Sequence, residues 1–265
     1  MTRFVRAELA ARARMIAGLA AGAAVFMLIL GLAYHSIGGA LGDAFGGAPP
    51  KAITAFSGSH SGDVLSPRGW MGFGFDHPMM LITSLTAAIS IGAGVIAGEV
   101  DTGRAQMLFS RPVARTRFLL AGLAVWLAAE LAVLAVALAG SFAGALLSAD
   151  LRHASLGGMA WAPVQLLPLT LFVMSTACLA SALSDTRTRA LGIAIGVTVL
   201  AYLVNVVSGL LDAVYWLRWC TPFGYYDPTA AIEHGPRPWP LVALAGASAL
   251  LLLAARTALE RRDLA

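Results

Sequence analysis

Few residues of this chain carry side chains suited to covalent chemistry, and none of them stands in a pattern that performs it. The stretch Gly58-Ser59-His60-Ser61-Gly62 has histidine at its centre, where a nucleophile elbow needs serine. It reads as a flexible polar loop. The single lysine, Lys51, follows Pro50, so no glycine-rich loop with a phosphate-binding lysine exists. ATP hydrolysis by this chain alone is therefore excluded. No H-E-x-x-H is present, and the two cysteines, Cys178 and Cys220, form neither a disulfide framework nor a metal-ligand spacing. His60, Asp63, Met71, Asp76, His77, Met79 and Met80 lie near one another in the chain, and the imidazole and thioether groups among them are donors that copper accepts. Their spacing is irregular, so they read as loop and interface residues, and no metal site is expected.

Two other sets of residues remain. Glu130 and Asn205 lie inside long apolar runs. A helix starting near Phe118 would place Glu130 roughly 18 Å into the membrane by the helical rise, flanked by Trp126 and Val133. A charge at that depth is costly and usually faces a bundle interior or a cavity. Glu130 could line a substrate path, or be protonated and bonded to another helix, with Asn205 a possible partner. The second set is the segment 94–117, where Glu99 and Asp101 open a short helix at the end that favours acids. Pro112 ends that helix, and its restriction reaches back to Arg111. Three arginines (Arg111, Arg115, Arg117) lead into the next apolar run. A short, rigid, charged helix held between two membrane helices can transmit force from a partner. A solvated basic loop is the alternative.

The elements that hold these residues follow from composition. Of 265 residues, 58% are hydrophobic and 12% charged, and the mean hydropathy is +0.78. A soluble domain carries roughly a quarter charged residues, so a soluble enzyme and a disordered chain are both excluded. A crossing needs about 20 mostly apolar residues. Six stretches qualify: 15–34, 78–97, 118–148, 163–183, 190–211 and 239–255. Backbone groups find no water in lipid, so these stretches should be helices. Pro168 should kink the fourth. The expected fold is an all-α integral membrane protein, one transmembrane domain over residues 1–265. Residues 1–14 place Val5, Leu9 and Ala13 on one face and suit a helix lying along the inner interface.

Thirteen of the 18 Arg and Lys residues flank one side of these runs and five the other. The richer side includes both ends of the chain, which places both termini in the cytoplasm. All five histidines fall on the opposite side, as do most Trp and Tyr residues. The net charge of +4 is explained by this topology, so no nucleic-acid partner is expected. The small-xxx-small pairs Gly18/Gly22, Gly94/Gly98, Gly140/Gly144 and Gly192/Gly196 allow close helix approach but specify no interface by themselves.

The pattern I-A-G-E-x-x-x-G-x-x-x-x-L-x-S-R-P-V-x-R, from Ile96 to Arg115, resembles the first cytoplasmic segment of ABC-2-type transporter permeases. Trp219-Cys220-Thr221-Pro222-Phe223-Gly224-Tyr225-Tyr226-Asp227-Pro228 resembles that family's outer segment S-P-F-x-Y-x-D-P, with Thr221 in place of serine. The basic end, Glu260-Arg261-Arg262-Asp263-Leu264, is similar to the family's tail. The resemblance implies a multi-pass permease subunit of the inner membrane, usually of an exporter. It implies a lipid-embedded pair of permeases, homodimer or heterodimer, driven by two copies of a separate ABC ATPase. ATP and Mg would bind that ATPase, leaving no cofactor and no catalytic residue in this chain. The segment between spans 2 and 3 would be a coupling helix, with Glu99, Gly103, Leu108, Arg111, Pro112 and Arg115 in the contact. Glu99 and Arg111 could make charge-assisted bonds across the interface or to the N-terminal helix. Asp185 and Arg187, in the second inner loop, would touch the same partner. Glu130 and Asn205 would be candidates for the translocation path. The alternative is a mechanotransducing subunit that acts on outer partners, for example in metalloenzyme maturation, without moving a substrate.

Overall fold

The structure is a computed structural model that describes residues 2–38, 40, 66–103, 116–153 and 156–261. Its regular α-helices are α1 (Thr2–Ala33), α2 (Pro67–Asp76), α3 (Pro78–Gly94), α4 (Ala97–Asp101), α5 (Thr116–Leu147), α6 (Trp161–Ala182), α7 (Arg187–Leu210), α8 (Pro228–His234) and α9 (Pro238–Arg261). Six stretches are long and apolar enough to cross a membrane, and α2 and α3 together make up the second. Six crossings return both ends of the described chain to one side, here called the terminal end. The opposite side is the distal end.

Two elements differ from the sequence expectation. The separate surface helix expected over residues 1–14 is instead the first turns of α1, which runs unbroken for 32 residues. Neither Pro nor Gly interrupts Arg12-Ala13-Arg14-Met15, and alanine-rich sequence propagates a helix readily. The sequence assigned no helix between the runs that end at 34 and begin at 78, but residues Pro67–Asp76 form α2. Three glycines made that stretch look loop-like. In the fold, two of them allow close approach. A Cβ on Gly72 would lie 2.8 Å from Thr229 Cα, and one on Gly74 would lie 2.7 Å from a Leu30 methyl. Ser66 caps the new helix, its hydroxyl accepting from the Gly69 N–H at 3.0 Å, and Pro67 starts it. The chain then breaks at His77 and restarts at Pro78, a residue suited to the first helical position. The remaining spans match the expected ones to within a few residues at most ends. α6 continues through Pro168.

The two central spans are α2–α3 and α6, with 61% of each apolar window buried, against 22%, 28% and 17% for the spans of α1, α7 and α9. α1 runs parallel to α5, with Phe4 beside Phe118 near one end and Ala24 and Leu28 beside Gly140 and Gly144 further along. α3 packs in the same way on α6, where a Cβ on Gly92 would lie 2.7 Å from both Ala177 Cβ and Met174 O. Lipid gives no hydrophobic drive between helices, so such close backbone contact supplies the van der Waals energy of association. Only part of the small-residue pattern is used this way. Gly18, Gly22, Gly192 and Gly196 face open space. Large apolar side chains such as Leu200, Val242 and Leu250 also face outward from the peripheral helices.

Candidate functional site

At the terminal end, the second span stops at Gly94, bends through Val95 and Ile96, and restarts as α4 at Ala97. A bend of this kind strands backbone groups that a continuous helix would pair. One side chain recovers three of them. The buried Ser181 hydroxyl, near the end of α6, donates to Ala93 O at 2.9 Å. It accepts from the Ile96 N–H at 3.1 Å and the Ala97 N–H at 2.8 Å. Two arginines meet the last turns of α3 from other directions. Arg12 of α1 donates to Ser90 O at 3.4 Å and pairs with Glu8 at 3.0 Å. Arg187, the first residue of α7, donates to Ser90 O at 3.5 Å and to Ser90 Oγ at 3.2 Å. Guanidinium groups here also favour the negative end of the α3 dipole. The junction is thus tied to α6 at the start of α4 and to α1 and α7 at Ser90, on the last turns of α3.

Glu99 lies in the first turn of α4 and lines a narrow cleft with Phe4, Glu8, Arg12, Val95 and Phe118. Glu99 therefore lies beside the first turns of α1. α4 ends at Asp101, and Gly103 takes a left-handed conformation (φ 69°), with its N–H donating to Val100 O at 3.0 Å. That is the common glycine stop of a helix. Leu108, Arg111, Pro112 and Arg115 lie outside the described residues. Asp185 is exposed in the α6–α7 connection, and Thr186 caps α7 by accepting from the Arg189 N–H at 3.3 Å. Arg187 turns inward to Ser90, and its side chain passes 3.8 Å from the Cβ position of Gly98. The two expected contact segments, 94–103 and 184–189, therefore meet in one place.

The interior holds a second polar cluster. Glu130 is fully buried in α5. Ser84 of α3 and Thr170 of α6 lie beside its carboxyl, but no hydrogen bond of ordinary geometry closes with either. Asn205 is buried in α7, and its Oδ1 has no partner among the described residues. The structure does not bring it to Glu130, because α5 and α7 share no packed interface. Asp76, the last residue of α2, is also fully buried.

Above Asp76, the segment Thr221–Pro228 braces the break in the second span. The buried Tyr226 hydroxyl donates to Phe75 O at 3.1 Å, a carbonyl left without a helical partner by the break at His77. Burial pushes the Tyr226 phenol well above its ordinary value. Asp227 donates its N–H to Gln165 Oε1 at 3.1 Å and caps α8 by accepting from the Ala230 N–H at 3.0 Å. Phe223 stacks edge-on against Tyr202 with ring centroids 5.4 Å apart. Trp219, Tyr225 and Trp239 form a mutual aromatic cluster at the distal end, with centroids 5.5 to 5.6 Å apart. Arg218 stacks on Tyr215 and Trp219, and burial lowers its pKa from the usual arginine value. Among the described residues no three His, Cys, Asp or Glu side chains gather as a metal site. His77 Nδ1 instead accepts from the Met79 N–H at 3.2 Å, while His60 and Asp63 lie outside the described residues.

The family model described as ABC-2 family transporter protein matches residues 5–256, nearly the whole chain. The chain belongs to the ABC-2 transporter family. No curated protein and no solved structure matches it. In this ABC-2 protein the six apolar helices make a multi-pass membrane subunit. Four of its structurally prominent residues were not singled out by the sequence for the positions they take. Ser181 looks like one more small residue in an Ala- and Ser-rich span. Arg12 looks like a generic positive flank. Asp76 and Tyr226 gain their meaning from each other's neighbourhood, 150 residues apart in the chain. The only prior signal was that Tyr226 sits within the ABC-2-like stretch Trp219–Pro228.

Proposed function

We propose that this chain is the permease subunit of an ABC exporter, coupled through its terminal end to a separate ATPase. The observation that carries the reading is the junction at α4. A short helix between the second and third spans is bonded at its base to α6, and the end of α3 that leads into it is bonded to α1 and α7. Displacement of α4 by a partner would be passed to three membrane helices at once, because hydrogen-bonded and close-packed elements move together. The arginine bias puts this end in the cytoplasm of a cell whose inner membrane holds the protein, where ATP and Mg bind the partner. Two permease copies and two ATPase copies form the working unit. Glu99, Gly103, Leu108, Arg111, Pro112, Arg115, Asp185 and Arg187 form the coupling surface. Glu130 and Asn205 belong to the membrane interior through which a substrate passes.

Co-purification from native membranes in mild detergent, followed by mass spectrometry, tests the reading. An ATPase with a phosphate-binding glycine loop is expected with wild type, and its yield falls in Glu99→Ala. Absence of any such ATPase with wild type overturns the proposal.

A further inference from the structure

Asp76 and Glu130 are the two acids that the described residues enclose completely. Among the described residues all four of their carboxyl oxygens lack a hydrogen-bond partner, and they are closed to water-sized space. The groups facing them offer no positive charge. Asp76 is approached by Tyr202 from α7 and by Tyr226 and Asp227 from the segment ahead of α8. Glu130 is approached by Ser84 from α3, Thr170 from α6 and Tyr226. His77 follows Asp76 in the chain, but its Nδ1 is occupied by the Met79 N–H, and its ring packs on Phe26 and Phe73. Arg218 stacks on the rings of Tyr215 and Trp219. A second observation comes from the neighbours. The buried Ser84 Oγ and the Trp126 Nε1, the latter one helical turn before Glu130, are also without partners.

A buried carboxylate can be sustained by an opposite charge, by several hydrogen-bond donors, by water or by a metal ion. Among the described residues no cationic side chain faces these two, no donor bonds their oxygens with ordinary hydrogen-bond geometry, and no space at those oxygens admits water. A metal ion needs more room and more ligands than water does. The proton is the one cation that needs no cavity.

We propose that Asp76 and Glu130 are two proton-binding groups in the interior of the bundle. Each carboxyl holds one proton as a neutral acid at neutral pH, with no other bond made or broken. The protons exchange with bulk water only when the bundle opens around α2, α3 and α5. A transport cycle that opens this region would release up to one proton from each acid.

The test is infrared difference spectroscopy of the purified protein in lipid discs, with whatever subunits co-purify, at neutral pH. Wild type, Asp76→Asn and Glu130→Gln are compared in light water and after transfer to heavy water. Wild type is expected to show carbonyl bands of protonated carboxylic acids that shift slowly in heavy water. Each amide variant is expected to lose one of these bands and to keep the thermal stability of wild type, because an amide imitates the neutral acid. Ionised carboxylates in wild type would overturn the proposal. So would protonated bands that survive in both variants, because they would belong to other groups. Amide variants that lose stability while wild type shows only ionised carboxylates would point to a bound cation, and overturn it as well.

Discussion

Two buried serines lie on the central spans of this bundle and live differently. Ser181, at the terminal end, makes three hydrogen bonds to the bend between α3 and α4. Ser84, near the middle of α3, makes none, and its neighbour Glu130 makes none either. The junction around Ser181 behaves as a structural joint, where polar side chains repay the backbone groups that a broken helix leaves open. Arg12 and Arg187 extend the same repayment to Ser90. The interior around Glu130 and Asp76 is a store of polar groups that the fold encloses without satisfying. Buried polar groups are normally bonded. Those at the joint conform to this rule and those in the interior depart from it.

The largest expected effect tests that contrast directly. Ser181→Ala leaves one carbonyl and two N–H groups unpaired in a buried setting, and should cost about 3 kcal/mol of stability in thermal or denaturant unfolding. Ser84→Ala removes a hydroxyl that bonds nothing, and should change stability by less than about 0.5 kcal/mol. Equal costs for the two variants would break the comparison.

A middle-sized effect comes from the brace on the second span. Tyr226→Phe loses the hydrogen bond to Phe75 O and should cost about 1 kcal/mol. Burial raises the Tyr226 phenol above its unfolded value. The unfolded chain therefore gives up this proton first as pH rises, so the contribution is whole below pH about 10 and is lost above it. Alkaline unfolding curves of wild type and Tyr226→Phe should converge as pH rises past that point. Curves that stay parallel would show that the phenol does not titrate as a buried group.

The smallest effect sharpens the account of the joint. The Glu8–Arg12 pair is partly exposed and spaced four residues apart on α1. Glu8→Ala should cost less than about 0.5 kcal/mol, and the cost should shrink with added salt. A larger, salt-independent loss would mean that Glu8 holds Arg12 against Ser90 and so belongs to the joint itself.

The terminal-end segments were legible from the sequence because charge and glycine stand out against apolar runs. Glu99, Gly103, Asp185 and Arg187 were all named before their positions were known. The structure placed Glu99 beside α1 and brought Arg187 to the end of α3. Helix α2 was not legible, because glycines that read as loop serve here to admit Thr229 and Leu30 at short range. Glu130 was visible as an acid in an apolar run, but its pairing with Asn205 was a guess between two such residues. The helices they occupy turn out not to pack on each other.

By itself the sequence determined six runs long and apolar enough to cross a membrane and carried the motifs of the ABC-2 family. Those properties depend on runs of apolar side chains and on motifs read along the chain, and each needs only local information. The tertiary structure alone decided that one serine clasps the bend at α4 and that Tyr226 supports a carbonyl 151 residues away. It also decided that Asp76 and Glu130 are sealed in the interior. Burial and hydrogen-bond satisfaction depend on which segments the packing brings together. Side chains that look alike in the sequence can therefore be repaid at one end of the bundle and left unpaid in its middle.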